Sequence, residues 1–187
     1  MSEDDSEVGQ EFAVILDYLP YGRSDDDRPQ YQKSPVAFVI GESDFKLYEL
    51  ALEKESGLNI EDRVAIDPPD DRIEDRHPVS FDDLSSSSRS ELEPVVENIV
   101  DRDEERFVDF YNEAQPITLR LHQLNLLPGI GKKLRNNILE ERKRGPFESF
   151  EEMEQRVSGL HRPREILIER IIEEIRDEDL KYRRFVG

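Results

Sequence analysis

LNLLPGIGKKLRNNILEERKRGPF, Leu124 to Phe147, is the stretch on which the reading of the chain turns. Two apolar-periodic runs flank Gly129, Ile130 and Gly131, which predicts a helix ending near Leu126, a two-glycine turn and a helix beginning near Lys132. Glycine admits the tight backbone and leaves the main chain open to close approach. The N–H groups of Gly129, Ile130 and Gly131, at the positive end of a helix dipole, are suited to a phosphate. Lys132, Lys133 and Arg135 would flank it, and Gly145-Pro146 would end the helix.

Working outward, charge is the first test of that reading. The 187 residues carry a formal net charge of −19, which opposes a polyanionic partner unless the acidity lies elsewhere. It does: residues 116–187 hold 15 Lys+Arg against 13 Asp+Glu, and residues 1–115 hold 11 against 32. Such acidity also resembles the salt-adapted proteins of halophilic archaea. Counterion-release binding weakens steeply with salt, so short hydrogen bonds from a backbone nest would suit that setting. The chain has no Cys, excluding disulfides and thiolate chemistry. It shows neither a membrane-length apolar run nor a signal peptide, so a cytoplasmic protein is expected.

Residues 1–10 read as a disordered acidic lead-in. Strands are expected at 12–19, 36–40, 45–52 and 63–66, with a short paired segment starting at His77. The serines at 85–88 suit a linker or helix cap. Helices are expected at 91–99 and 102–113, with Pro94 in a first turn where its missing N–H costs nothing. Pro116 restarts the chain into the first helix of the turn unit, through Ile117, Leu119, Leu121 and Leu124, and a last helix spans 164–176. The fold class is therefore α+β: a β-rich module at 11–84, connecting helices at 85–115 and an α-helical domain at 116–187.

The quoted stretch resembles the helix-hairpin-helix motif of sequence-independent nucleic-acid-binding proteins, with Leu127-Pro128-Gly129-Ile130-Gly131-Lys132 in place of the hairpin. The run from Gly145 to Val157 looks like the linker and second unit of tandem versions. The second hairpin would fall at 158–163, where His161 stands in place of the second glycine, so packing rather than phosphate contact is expected there. Across residues 11–175 the chain resembles the archaeal domain-of-unknown-function family 655. The resemblance is carried by FAVILDYLPYG at 12–22, AFVIG at 37–41, FKLYEL at 45–50 and LPGIGKK at 127–133. It implies an OB-like module before a helix-hairpin-helix region, and a setting near ribosome or RNA maturation. Tyr18, Tyr21, Arg23, Tyr31, Lys33, Lys46 and Tyr48 would be the OB-like module's candidates for stacking on bases.

Catalysis finds little footing. Glycosylases that carry the hairpin need an Asp downstream, and none occurs between Lys132 and Arg176. His77, His122 and His161 form no recognisable ligand or triad pattern, and Asp25-Asp26-Asp27 and Asp70-Asp71 read as solvated loops. The expectation is a non-enzymatic RNA- or DNA-binding protein without cofactor or metal, RNA being preferred through the family's setting. Ribosomal or RNA-processing proteins are further candidate partners. The rival is a protein–protein adaptor in which the hairpin only turns the chain.

Overall fold

The computed structural model describes residues 9–187. Of the expected lead-in, residues 1–8 lie outside the described residues, and Gly9 and Gln10 are exposed. The described residues form a mixed α+β fold, five strands followed by five helices. The chain divides into two compact units, residues 9–95 with 185–187 and residues 96–184.

In the first unit, β1 (Glu11–Leu19), β2 (Val36–Gly41), β3 (Leu47–Leu52), β4 (Arg63–Asp67) and β5 (Ile73–Pro78) form one sheet in the order β4-β1-β2-β3-β5. Every neighbouring pair is antiparallel. β4 and β5 therefore run in the same direction at opposite edges, joined by residues 68–72 alone. The sheet curls to allow this, and Arg76 on β5 donates from Nη1 to the Ile66 carbonyl on β4 at 3.1 Å. A register shift at Leu16, where Ile15 faces Val39 and Asp17 faces Phe38, adds the local twist such curling requires. Ala13, Ile15, Ala37, Val39, Leu50, Leu52, Val64 and Ile66 form one core with Leu58 from the β3–β4 loop. Tyr18 and Tyr48 pack against that core, and so are not free platforms for bases.

β5 extends back to Ile73, well before the short paired segment expected from His77. Its outward residues are almost all charged, so periodic apolar signal is missing; the edge pairing to β3 makes it a strand. α1 (Ser86–Arg102) begins five residues earlier than expected, because Ser85 caps it. The Ser85 hydroxyl accepts from Ser88 N at 3.1 Å and donates to buried Asp17 at 2.7 Å. Pro94 consequently sits in the helix interior and not in its first turn.

In the second unit, α2 (Glu104–Glu113), α3 (Lys132–Arg142), α4 (Phe150–Arg156) and α5 (Pro163–Arg176) enclose a separate core. Tyr111 centres it: its ring packs edge-on to Phe150 and its hydroxyl donates to the Pro163 carbonyl at 2.6 Å. Burial pushes the Tyr111 phenol's pKa up, so it stays a protonated donor. Asn112 exchanges two bonds with the Phe147 backbone, and Glu104 accepts from Phe150 N. These contacts make α2 part of the helical unit rather than a connector, and the boundary falls at 95/96 inside α1, not at 84 or 116.

Two buried charges support the same unit. Glu174, fully buried, accepts from Arg170 Nε at 3.0 Å and from Arg184 N at 2.7 Å. Arg170 also donates to the Tyr182 carbonyl. The basic aromatic stretch at 181–184 is thus fastened by backbone bonds, a satisfied arrangement that would be costly to break.

Candidate nucleic-acid interface

The segment from Pro116 to Leu126 differs from expectation: it is not an α-helix. Thr118 Oγ1 accepts the N–H groups of Arg120 at 3.3 Å and Leu121 at 3.0 Å, offering the backbone an alternative to helical bonding. Pro116 bridges to His122, and only Gln123–Leu126 form a short 3-10 turn before the glycines. His122 caps that turn, its Nδ1 accepting from Leu124 N at 3.1 Å. Burial, with Arg142 and Arg135 nearby, lowers the His122 pKa and keeps the ring a neutral acceptor.

At the turn itself, Gly129 has φ +81°, a conformation that side chains disfavour. Leu127 and Ile130 are both buried, so the turn is anchored by apolar side chains on either side of Gly129. Ile130 N donates to the Leu127 carbonyl at 3.2 Å. This corrects one expectation: the Ile130 N–H closes the turn and is not offered to a ligand. Gly131 caps α3 without a side chain, and Arg135 N is the first amide to return to it, at 3.0 Å. Lys132, Lys133 and Leu134 therefore open the helix with the unsatisfied first-turn amides.

A Cβ at Gly131 would meet nothing within 4 Å, and its φ of −90° suits any residue. The fold places no steric demand for glycine there. What remains is an open approach to the amides of Gly129 and Gly131 and the first turn of α3.

Lys132 and Lys133 are exposed, and neither has an ion-pair partner among the described residues. The rest of the α3 basic run is used internally. Lys143 pairs with Glu140 at 3.0 Å and Arg144 with Glu141 at 3.7 Å. Arg142 donates to the carbonyls of Tyr111 and Ala114, closing the end of α2. Arg135 donates to Asn125 Oδ1 at 3.1 Å, which makes it a support of the turn.

Asn125 is the residue that sequence reasoning missed. Its Oδ1 accepts from His122 N at 3.0 Å as well as from Arg135, and its Nδ2 donates to the Ile130 carbonyl at 3.1 Å. One amide thus ties the 3-10 turn, the glycine turn and α3 together. Its place six residues before Gly131 was the available signal, but an Asn in a polar stretch is too common to single out.

Val157, Gly159 and Leu160 repeat this backbone. Gly159 has φ +84°, Val157 and Leu160 are buried, and Leu160 N donates to the Val157 carbonyl at 3.3 Å. Asn137 of α3 donates to Ser158 O at 3.0 Å. Arg156 caps the end of α3 through the carbonyls of Glu141 and Gly145.

The candidates of the β-rich unit do not gather in the same way. Tyr21 and Tyr31 are exposed, Arg23 is held by Glu49 at 2.8 Å, Lys46 is exposed, and Lys33 is half-buried. Among the described residues no cluster of three His, Asp or Glu side chains could hold a metal ion. Asp26 and Asp70 are each engaged by a neighbouring arginine, which holds their carboxyls down to about 2. No helix among the described residues is long and apolar enough to cross a membrane.

The chain resembles an uncharacterised protein of Methanocaldococcus jannaschii, 38% identical over 180 residues, covering 95% of this chain and 80% of that one. It also matches a crystal structure from Archaeoglobus fulgidus, assigned there to the same family model, with 42% identity and a TM-score of 0.85. That match covers 95% of this chain and 99% of the other. Residues 9–187 match the model of DUF655, a family described as a protein of unknown function, and the chain belongs to that family.

Proposed function

We propose that this is a non-catalytic, largely sequence-independent nucleic-acid-binding protein, and that residues 123–142 are a helix-hairpin-helix unit with a shortened first helix. The observation that carries the reading is the open approach at Gly131, with unsatisfied first-turn amides behind it and the unpaired Lys132 and Lys133 beside it. An anion is the ligand that such a site would hold. A backbone phosphate supplies one without a sequence requirement. The site is assembled from Gly129, Gly131, Lys132 and Lys133, with Asn125 and Arg135 as positioning residues.

RNA is preferred over DNA, in ribosome or RNA maturation in a salt-rich cytoplasm. That preference comes from the resemblance and the acidic composition, whereas the turn's geometry would suit either. The β-rich unit is read as OB-like on its five-stranded curled sheet; its acidity argues for a protein contact more than for a strand of nucleic acid.

The test is binding of labelled RNA and DNA, single- and double-stranded, at molar KCl. Wild type is compared with a Lys132→Glu, Lys133→Glu variant whose folding is checked by circular dichroism. Binding by wild type and its loss in the variant supports the reading. Absence of binding by folded wild type to all four ligands would discard it in favour of an adaptor.

A further inference from the structure

We propose that the loop at 115–123 is a second contact on the same ligand, and that Leu119 at its tip is an apolar wedge for base-paired nucleic acid. The inference rests on the nucleic-acid reading above and adds the class of ligand: a duplex rather than a single strand.

The loop is rigidly stapled. Gln115 N donates to Gln123 Oε1, Gln123 N to Gln115 O, and both Ile117 N and Thr118 N to Leu121 O. Thr118 Oγ1 takes the amides of Arg120 and Leu121. A backbone so fully bonded would bury its apolar side chain if packing were its purpose. Instead Leu119 stands completely in water, at 107% relative exposure. One exposed leucine is ordinary on a surface. A pre-ordered turn that holds one out, with a charged arginine as the next residue, is a less common arrangement.

Charge selects the occupant. Arg120 is exposed and, like Lys132 and Lys133, has no ion-pair partner among the described residues. One unpaired cation beside the aliphatic tip and two more at the glycine turn favour a polyanion over the apolar pocket of a protein. Shape then selects the form of the polyanion. Leucine has no π face on which unpaired bases could stack. Aliphatic side chains do insert between steps of a duplex, where they unstack the bases and bend the helix.

Position links the tip to the turn. Leu119 lies three residues from His122, a reach of about 11 Å at most. His122 N and Ile130 O are both bonded to the side chain of Asn125, at 3.0 and 3.1 Å. Tip and phosphate turn are thus rooted on one amide, within roughly 20 Å of each other, or about six base pairs at 3.4 Å each. A single duplex can touch both.

The experiment measures anisotropy of labelled duplexes and of the matching single strands, RNA and DNA, with 2-aminopurine at successive internal steps of the duplex. Wild type, Leu119→Ser, Leu119→Met and the Lys132→Glu, Lys133→Glu variant are compared. Leu119→Ser should weaken duplex binding by roughly tenfold, the effect of withdrawing one leucine from an apolar contact. It should leave single-strand binding and the salt slope unchanged, and abolish a 2-aminopurine rise that Leu119→Met retains. The lysine variant should lower the salt slope instead. If wild type binds while Leu119→Ser keeps full duplex affinity and the same 2-aminopurine signal, the wedge is overturned and the nucleic-acid reading survives. If wild type binds single strands better than duplexes, the duplex assignment is overturned. If wild type binds none of the ligands, both inferences fall together.

Discussion

The turns at 127–131 and 157–162 share a backbone and differ in chemistry. Each places a glycine at φ near +80° between two buried apolar residues, and each is closed by a hydrogen bond from the fourth residue's N–H to the first residue's carbonyl. After that point they diverge. The first runs through Gly131 into Lys132 and Lys133. The second carries one residue more: Arg162 caps α5 in a left-handed conformation at φ 55°, and Pro163 follows, which has no N–H to offer. Arg164 is locked to Asp101 by bonds of 2.6 and 2.8 Å, and Glu165 occupies the first turn of α5. Glu165 satisfies the dipole of its own helix and would repel a phosphate. The geometry of the turn is thus a packing solution used twice, whereas the surroundings differ: the first turn leads into two adjacent unpaired lysines, and the second loses an amide at Pro163, carries Glu165 and leaves Arg162 as its unpaired cation among the described residues.

Charge reversal should break this comparison most strongly. Lys132→Glu with Lys133→Glu should weaken binding by on the order of 100-fold at moderate salt and reduce the salt slope by about two, since each lysine displaces roughly one counterion. Arg162→Glu at the second turn should change affinity less than about threefold. Titrations across a salt series check both, and equal losses at the two turns would erase the distinction.

The glycines test the shared part. Gly129→Ala and Gly159→Ala both force a side chain into the left-handed region, and neither added Cβ meets an obstacle, the nearest atom being Leu134 Cδ1 at 3.9 Å from position 159. Each should cost about 1–2 kcal/mol of stability in urea melts. Affinity should fall for Gly129→Ala alone once both proteins are measured where they are fully folded.

A smaller and cleaner effect is expected at Gly131. Alanine there is unstrained and unopposed, so stability should stay within about 0.5 kcal/mol of wild type. Affinity should nevertheless drop by roughly three- to tenfold, because a methyl group would stand at the approach to the amides and weaken one of their hydrogen bonds. Unchanged affinity in this variant would remove the main support for a ligand at the turn.

How much of this was legible in sequence depends on where the signal was local. Glycine spacing with flanking apolar residues located the turn, and alternating Val, Ile and Phe located β1 and β2. Ile117, Leu119, Leu121 and Leu124 suggest a first helix for the unit, but they are apolar residues at mixed spacing. Thr118 and Pro116 decide that segment through side-chain and backbone bonds that a periodicity count does not register. Sequence offers the Ile130 amide to a ligand because it shows a turn without showing which carbonyl closes it. Sequence alone reads α2 as a connector, since its partners, Phe147, Phe150 and Pro163, lie some 35–52 residues away in the chain. The buried pair Arg170–Glu174 was invisible for a simpler reason: at i, i+4 on a helix it looks like any solvated pair.

The smallest expected effect concerns the cap that sets the first turn apart from the second, which has no histidine in the equivalent role. His122 must remain neutral to accept from Leu124 N, and its pKa in the folded protein is lowered by burial and by Arg142 and Arg135. The unfolded chain therefore binds a proton near 6.5 that the folded chain resists. Where the unfolded state holds more protons, stability rises with pH. His122 thus costs nothing above pH 6.5, and its contribution is lost as pH falls from there through the lowered folded value. His122→Asn keeps an acceptor of the kind that caps well and cannot titrate. Urea midpoints between pH 7 and pH 5 should decline for wild type more steeply than for the variant, with the two curves closest at the neutral end. His77 and His161 remain in both proteins, so the difference between the curves isolates position 122. Parallel curves would mean that the cap survives protonation, by a turn of the ring or a shift of Leu124. The integrity of the turn would then rest on Asn125 alone.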